Sequence, residues 1–464
     1  MKIACLGGGG WYFTRPIADF AACEELHGSE IALYDIDAER ARLVAKMGRR
    51  LSTEAGARLR FKTAKSLAEA VDGSDFLLCS IGGAGASGAS GYYESPVHLG
   101  DKLICARYGV PQVVGDTGGP AAMMAGLRSV PIYLEICREA EQRAPQAILL
   151  NHANPMAVLC RAMVKYASLP CVTGICHGAQ GGIRHAAGIL GVPAHELETV
   201  WIGTNHYYWF TRMRHLGRDV MPEFWKRVRR QKPASQHRMS AELSQVYGHW
   251  IAYPEDDHII EFYPYLAQAQ NPTDLPFGMS EHGFGKRLKP LYAGEETLEE
   301  IGERDRAVSR RQMLKEYAAR LDRVALPENP TDPVGGEGTA RLIADIARGQ
   351  RGVHICNVPN QGTVPNLPAT AVLAVEAVTD SAGVRPVWAG EAPLALEALL
   401  RKRIAWQELV ADAAVKGDRQ LALQAMQVDE TAIPPGASEK MLAELMENSR
   451  GMLPTFEKKR GGKV

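Results

Sequence analysis

An almost continuous apolar run, Lys2-Ile3-Ala4-Cys5-Leu6, passes directly into four glycines, Gly7, Gly8, Gly9 and Gly10. A helical stretch from Trp11 to Phe20 comes next, with Pro16 where a helix can start. A short strand that is apolar at nearly every position asks for cover on both faces, which is the habit of a central strand in a parallel sheet. Glycines at its end let the backbone turn sharply and approach a pyrophosphate, whose charge then lies at a helix N-terminus. The spacing departs from G-x-G-x-x-G, because Tyr12 stands where the last glycine would be.

The next hundred residues keep the same rhythm. Ile31-Ala32-Leu33-Tyr34 reads as a second strand and ends at Asp35, about 25 residues past the glycines. A carboxylate there can accept both hydroxyls of an adenosine ribose, which favours NAD over its phosphorylated form. Asp37 competes for the role, and Asp35 has the alternative of capping the next helix. A third strand is expected at 76–81, ending in Gly82-Gly83-Ala84-Gly85, with Gly82 facing the same crevice. Helices are expected between the strands at 38–54 and 65–72. The alternation predicts an α/β fold with a doubly wound, Rossmann-like parallel sheet.

With 464 residues the chain is too long for one ordinary core. That suggests two domains or one large interleaved α/β unit; the division we expect is an NAD-binding domain over 1–200 and an interleaved α+β substrate domain over 201–464. Fifty-three basic and 53 acidic residues leave no net charge, so no field attracts nucleic acid or anionic lipid. No apolar run approaches the 18 residues of a membrane span, and the N-terminus reads as a strand and not as a signal peptide. Nine irregularly spaced cysteines read as reduced thiols, the pattern of a cytoplasmic protein.

Further along, polar residues recur at the ends of apolar runs. Val113-Val114 precedes Gly115-Asp116-Thr117-Gly118-Gly119-Pro120, and a helix is expected at 121–142. A strand at 147–150 ends in Asn151-His152-Ala153-Asn154-Pro155, where the proline keeps Asn154 extended. A strand at 171–175 leads to Cys176-His177-Gly178, and another leads to Asn205-His206. A thiolate and an imidazole are both metal ligands, though a Cys and a His thirty residues apart are more often unrelated core residues. Strand ends in a parallel sheet line one edge, where ligands bind, and this places Asp116, Asn154, Cys176, Asn205 and His206 together.

As a set these segments resemble glycoside hydrolase family 4. The matching stretches are Gly7–Pro16, Leu33–Asp37, Asp116–Gly119, Asn151–Met156, Gly174–Gly178, Gly203–Trp209, Asp257–Phe262 and Asn357–Pro368, in order over nearly the whole chain. The resemblance implies a fold related to lactate and malate dehydrogenases, and a redox-neutral glycosidase using NAD and a divalent metal, usually Mn2+. A hydride leaves C3 of the sugar, a tyrosine removes the C2 proton, the glycosidic oxygen is eliminated, water adds and the hydride returns. Cys176 and His206 would hold the metal. Tyr247 is the preferred base, with Tyr253 as the other candidate. Asp116 would support the base, and Asn154 and Asn205 would bind substrate. His177, directly after the cysteine, would serve as the acid or bind a sugar hydroxyl. The branches acting on phosphorylated sugars carry Arg where His98 stands, and Cys-Asn or Cys-Asp where Cys176-His177 stands. These departures point to an unphosphorylated small-molecule glycoside, with Cys-His-Gly nearest the α-glucuronidase and α-galacturonidase branch. Arg212, Arg214 or Lys286 would meet a uronate carboxylate. The family also implies a homodimer or homotetramer.

The second half is expected to carry helices at 240–250, 299–321, 337–347, 370–380, 391–416 and 436–448. Glu255-Asp256-Asp257-His258 reads as a solvated polar loop, and 458–463 as a short basic tail. Two other readings compete: a net dehydrogenase acting on a sugar or hydroxy acid, and a nucleotide-binding protein without catalysis.

Overall fold

The computed structural model describes residues 1–83, 92–230, 233–251, 255–268, 271–328 and 338–460. Nine strands form the main sheet: β1 Lys2–Leu6, β2 Glu30–Tyr34, β3 Arg60–Thr63, β4 Phe76–Cys79, β5 Ile148–Asn151, β6 Cys171–Gly174, and the later β10 Val353–Pro359, β11 Val372–Asp380 and β12 Gly383–Pro386. Their order is β12-β11-β10-β6-β5-β4-β1-β2-β3. The six N-terminal strands are parallel, whereas β10, β11 and β12 join antiparallel at the β6 edge. The doubly wound expectation therefore holds, and the switch point falls between β1 and β4, where the chain leaves the sheet in opposite directions.

Alternation along the strands sorts the core onto two faces. Ile3, Cys5, Leu33 and Leu78 pack on one side of the sheet, and Ala4, Leu6, Leu77 and Leu149 on the other, all with no exposed surface. Fully burying a Leu or Ile side chain contributes about 1.5–3 kcal/mol, so the apolar runs that predict these strands also stabilise them.

A second, three-stranded antiparallel sheet contains β7 Leu197–Thr204, β8 Tyr207–His215 and β9 Arg218–Asp219. It is tied to the main sheet where Trp201 Nε1 donates to Ala374 O at 2.8 Å and Thr204 Oγ1 to Val372 O at 2.9 Å. Among the described residues, no helix is long and apolar enough to cross a membrane. No disulfide joins any of the nine cysteines.

Four expectations need correction. Residues 370–380 form not a helix but β11, because Val372, Val375 and Val378 pair on one side with β10 and β12 continues the meander on the other. The helix expected at 299–321 is two, Leu298–Ala307 and Arg310–Leu321, with Ser309 capping the second through its bond from Gln312 N. Val113-Val114 is no strand, so Asp116 reaches the site by another route. His206 lies in a hairpin of the antiparallel sheet and not at an end of the parallel one. In addition, Lys458–Arg460 close a helix, Pro454–Arg460, while 461–464 lie outside the described residues.

Candidate active site

Asn205 and His206 make the two-residue turn between β7 and β8, where Thr204 faces Tyr207. His206 has φ 60°, a left-handed conformation that costs a non-glycine residue roughly 1–2 kcal/mol. The anchored hairpin holds it there, 8 % exposed. Its Nε2 lies 3.3 Å from Cys176 Sγ. Cys176 lies just past β6, with His177 between it and the helix Gly178–Leu190, and Gly178 N donates to its sulfur at 3.4 Å. The other ring nitrogen of His206, Nδ1, lies 3.2 Å from Thr117 Oγ1. One nitrogen is thus fixed by a hydroxyl while the other faces the thiol. Burial, reinforced by His258, pushes the His206 imidazole down to about 3, so the ring is neutral and able to act as a ligand.

Asp116 is fully buried at the heart of this cluster. Its Oδ2 accepts from Tyr93 OH at 2.8 Å and from Asn154 Nδ2 at 2.7 Å, and its Oδ1 accepts from Thr117 Oγ1 at 2.6 Å. His258 Nδ1 lies 3.8 Å from Oδ1. Burial acts to raise this carboxyl, but His258, His206 and the Thr117 and Asn154 donors outweigh it and hold the group well below the usual carboxylate range. Asp116, His206 and His258 offer ligand atoms within 4.8 Å of one another.

The loop around Asp116 is held from two sides. Glu261, 2 % exposed, accepts from the backbone N–H groups of Gly115, Thr117 and Gly118 at 2.7–2.8 Å and more loosely from Asp116 N at 3.4 Å. Burial and the Asp116 charge push the Glu261 carboxyl up, and the backbone donors pull against them. From behind, Lys102 Nζ donates to Val113 O at 3.0 Å and His98 Nε2 meets Val114 O at 2.9 Å.

The glycine turn follows β1 directly. Gly7 N and Gly8 N both donate to Tyr34 O, and a Cβ on Gly8 would meet Cys5 O at 2.7 Å, so the turn closes only without a side chain. Asp35 does not cap the next helix; Asp37 does, accepting from Arg40 N. Asp35 instead takes Gly9 N on Oδ2 at 2.9 Å and Asp37 N on Oδ1 at 2.8 Å, which leaves a second lone pair on each oxygen. Gly82 packs against the Tyr92 ring at the opposite strand end. Ala84 and Gly85 lie outside the described residues.

Several expected residues land elsewhere. His98 is fully buried, bonded to backbone and tilted against the Tyr92 ring at 4.7 Å, so it supports the loop. Tyr247 ends the helix Arg238–Tyr247, with its ring against Trp209 and Tyr263; Tyr253 lies outside the described residues. Arg212, Arg214 and Lys286 are exposed on outer surfaces. His177 is exposed at the start of its helix, and Asn205 and Asn154 each keep a buried side-chain oxygen without a partner. The stretch 255–258 is not a solvated loop: Asp256 and Asp257 are buried, and His258 joins the site. Tyr93 carries no signal of its own in the sequence, and Glu261 falls in the matching stretch Asp257–Phe262 without its role being readable there.

A dinucleotide-type α/β sheet whose ligand edge carries a thiol, two buried or half-buried imidazoles and an ionised carboxylate defines an enzyme of the Rossmann-like class. The chain belongs to glycosyl hydrolase family 4: the family model matches residues 2–192 and the model of its C-terminal domain matches 201–432. It is a glycoside hydrolase. An α-galacturonidase of Bacillus subtilis is 29 % identical over 452 residues, 92 % of either chain, and an α-galactosidase of the same organism is 28 % identical over 433 residues, again 92 % of either chain. The solved structure of lplD from Bacillus subtilis is similar with a TM-score of 0.77 at 26 % identity, covering 96 % of this chain and 99 % of that one. A 6-phospho-α-glucosidase from gut microorganisms, solved in complex with NAD and Mn2+, has the same fold with a TM-score of 0.75 at 21 % identity, covering 98 % and 99 %.

Proposed function

We propose that this enzyme hydrolyses an unphosphorylated α-glycoside, an α-galacturonide or α-glucuronide, with NAD in the glycine crevice and a divalent metal at Cys176 and His206. The observation that carries the reading is the 3.3 Å approach of Cys176 Sγ to His206 Nε2. Two ligands on one ion, with bonds of the length zinc makes, about 2.3 Å to sulfur and 2.1 Å to nitrogen, stand about 3.1–3.6 Å apart at angles between square and tetrahedral. The thiol and imidazole therefore fit a common ion without rearrangement. Asp116 and His258 lie around the same imidazole, and Thr117 fixes its tautomer, as a second partner does for most metal-bound histidines. The crevice fits the cofactor through the free lone pairs of Asp35 and the close backbone turn at Gly7–Gly10.

When bound, the nicotinamide supplies reversible oxidation of the sugar, and the divalent ion supplies Lewis-acid stabilisation of the resulting carbonyl. The residues of the chain do the rest. Asn154 and Asn205 turn their unpaired amide oxygens to sugar hydroxyls. Asp116 keeps its negative charge and orients Tyr93 and Asn154. His177, exposed at the rim, donates a proton to the leaving oxygen. Tyr247, whose ring packs on Trp209 and Tyr263, stays the tyrosine proposed to take the C2 proton on the strength of the family resemblance alone. The relatives named α-galacturonidase support the uronide, and the buried, backbone-bound His98 supports a site without a phosphate clamp. A centre that depends on a reduced thiol fits the cytoplasm, and the family resemblance favours a homodimer or homotetramer.

The test is release of nitrophenol from α-galacturonide, α-glucuronide, α-galactoside, α-glucoside and 6-phosphoglucosides, with and without NAD and Mn2+ under reducing conditions. We expect a uronide to be cleaved only with both additions and without accumulation of NADH. Preference for the α-galactoside would place the enzyme in the other branch; NADH accumulation without aglycone release would overturn the mechanism.

A further inference from the structure

A cavity of about 290 Å³ lies beside the active site, between the helices Pro96–Arg107, Gly283–Ala293 and Leu298–Ala307. It adjoins the catalytic cluster without being part of it. Tyr93 and Phe284 form the shared wall: Tyr93 reaches Asp116 with its hydroxyl, and the Phe284 ring packs on Tyr93 at 5.3 Å and on His258 at 6.0 Å. One side of the cavity is aliphatic, made by Leu99, Leu288, Leu291 and Ile301, which cluster together and are all nearly buried.

Three acids, Glu94, Glu296 and Asp305, and three bases, Lys102, Arg287 and Arg304, line it. At the mouth, Arg287 pairs with Glu94 at 3.7 Å and Arg304 pairs with Glu296. At the inner end stands Lys102, 1 % exposed. Among the described residues its ammonium makes one hydrogen bond, to Val113 O, and enters no ion pair. Beyond that bond the ammonium faces the Phe284 ring, 6.0 Å away, and the cavity, so its remaining N–H donors are open to an acceptor placed there. Burial pushes this lysine down to about 8, against the opposing pull of Glu261, Asp116, Asp101 and Asp257.

We propose that this cavity binds a small monocarboxylate with an apolar body, its carboxylate on Lys102 and its body on the leucine wall. The volume suits a ring of benzoate size, and an anion there completes the hydrogen bonding of the ammonium. Because Lys102 also holds Val113 O, and Tyr93 lines the wall, the occupant touches the two supports of the Asp116 loop. The site needs neither metal nor NAD, so it stands or falls separately from the glycosidase reading.

The experiment is calorimetric titration of the full-length, metal-free enzyme with benzoate, using benzyl alcohol as the neutral isostere. We expect saturable benzoate binding in the millimolar range or tighter, with benzyl alcohol weaker by at least about tenfold. Lys102→Met should weaken benzoate at least about tenfold. Leu288→Trp, which fills the cavity and leaves Lys102 and its loop in place, should abolish binding, and Cys176→Ala should leave it unchanged. Absence of saturable binding to the wild type, equal binding by Leu288→Trp, or loss of binding in Cys176→Ala would each overturn the proposal. If Lys102→Met does not fold, the Leu288→Trp and Cys176→Ala arms decide alone.

Discussion

Thr117 shows how a single hydroxyl can govern a ligand. Its Oγ1 bridges Asp116 Oδ1 at 2.6 Å and His206 Nδ1 at 3.2 Å, and so sets which imidazole nitrogen faces Cys176. Thr117→Val keeps the shape and removes the bridge. We expect it to weaken Mn2+ by roughly 10–100-fold, the usual consequence of losing the partner of a metal-bound histidine. Cys176→Ala should weaken it further; titration of both variants by calorimetry checks the order, and equal affinities for wild type and Thr117→Val would remove Thr117 from the site. At this scale Cys176, His206, Asp116 and Asn154 are legible because each sits in a glycine- or proline-marked turn, the kind of local chemistry a sequence records. Tyr93 and Lys102 are not, because nothing within several residues of them announces a partner, and Glu261 lies in a matching stretch that does not show what it binds. His98 misleads for the same reason: its motif position is visible in the sequence, but its bond to Val114 O and its complete burial are not.

Two elements show where periodicity succeeds and fails. The strands β1, β2, β4 and β5 are central and apolar, so composition alone locates them. The meander β10–β12 is half hidden, because Val372–Asp380 repeats valine at every third position, 372, 375 and 378, with Ala374 and Ala377 between, a spacing and composition that suit a helix as well as a buried strand. The helix Arg310–Leu321 gives a prediction of its own. It lies over the glycine turn, with Tyr317 OH donating to Gly9 O at 2.9 Å and Arg310 pairing with Asp37 at 2.7 Å. Tyr317→Phe leaves that carbonyl unpaired at a cost of about 1–3 kcal/mol. We expect weaker NAD binding, read by equilibrium titration, with Mn2+ affinity unchanged; a parallel loss of both would mean that the variant damages more than the crevice. The helix Arg238–Tyr247 carries a pH dependence. His237, at its start, is pushed down to about 4 by burial and by His185 and His282. Between pH 4 and the ordinary histidine value near 6.5 the unfolded chain binds a proton that the folded chain refuses. Stability from this group is therefore present above about pH 6.5 and lost as pH falls toward 4, by up to about 3 kcal/mol. The difference in unfolding free energy between wild type and His237→Gln should shrink over that window, measured by urea titration at each pH; a constant difference would exclude the effect.

For the molecule as a whole, the site is an assembly of distant segments, and its stability should report that. The Asp116 loop receives Glu261 from 143–146 residues away, and Gly119 N donates to Asp429 Oδ2, 310 residues away, at 3.1 Å. Asp429 in turn pairs with Arg403 at 3.1 Å, and Arg403, fully buried, also pairs with Glu430 and lies over the Phe262 and Trp406 rings. The second half of the chain thus grips a loop of the first through carboxylates that accept backbone N–H groups, while β10–β12 extend the first half's sheet. The two grips differ in kind. Removing Glu261 leaves three well-formed N–H bonds without an acceptor in a buried place, and each orphaned donor costs about 1–3 kcal/mol before relaxation. Removing Asp429 orphans the N–H groups of Gly119 and Thr431 and also strips Arg403 of a partner. Breaking a buried pair from one side costs roughly 3–5 kcal/mol, reduced here because Glu430 remains. We therefore expect Glu261→Ala and Asp429→Ala to lose comparable unfolding free energy, about 2–4 kcal/mol each, but to differ in function. Glu261→Ala frees the loop that carries Asp116 and Thr117, so it should also weaken Mn2+. Asp429→Ala loosens the far end of the loop and should leave metal affinity near that of the wild type. Urea unfolding measured alongside metal titration separates the two. If both variants lose stability and metal in equal proportion, the loop and the interface between the halves are one cooperative unit, and the division of labour between Glu261 and Asp429 argued from their contacts would be wrong.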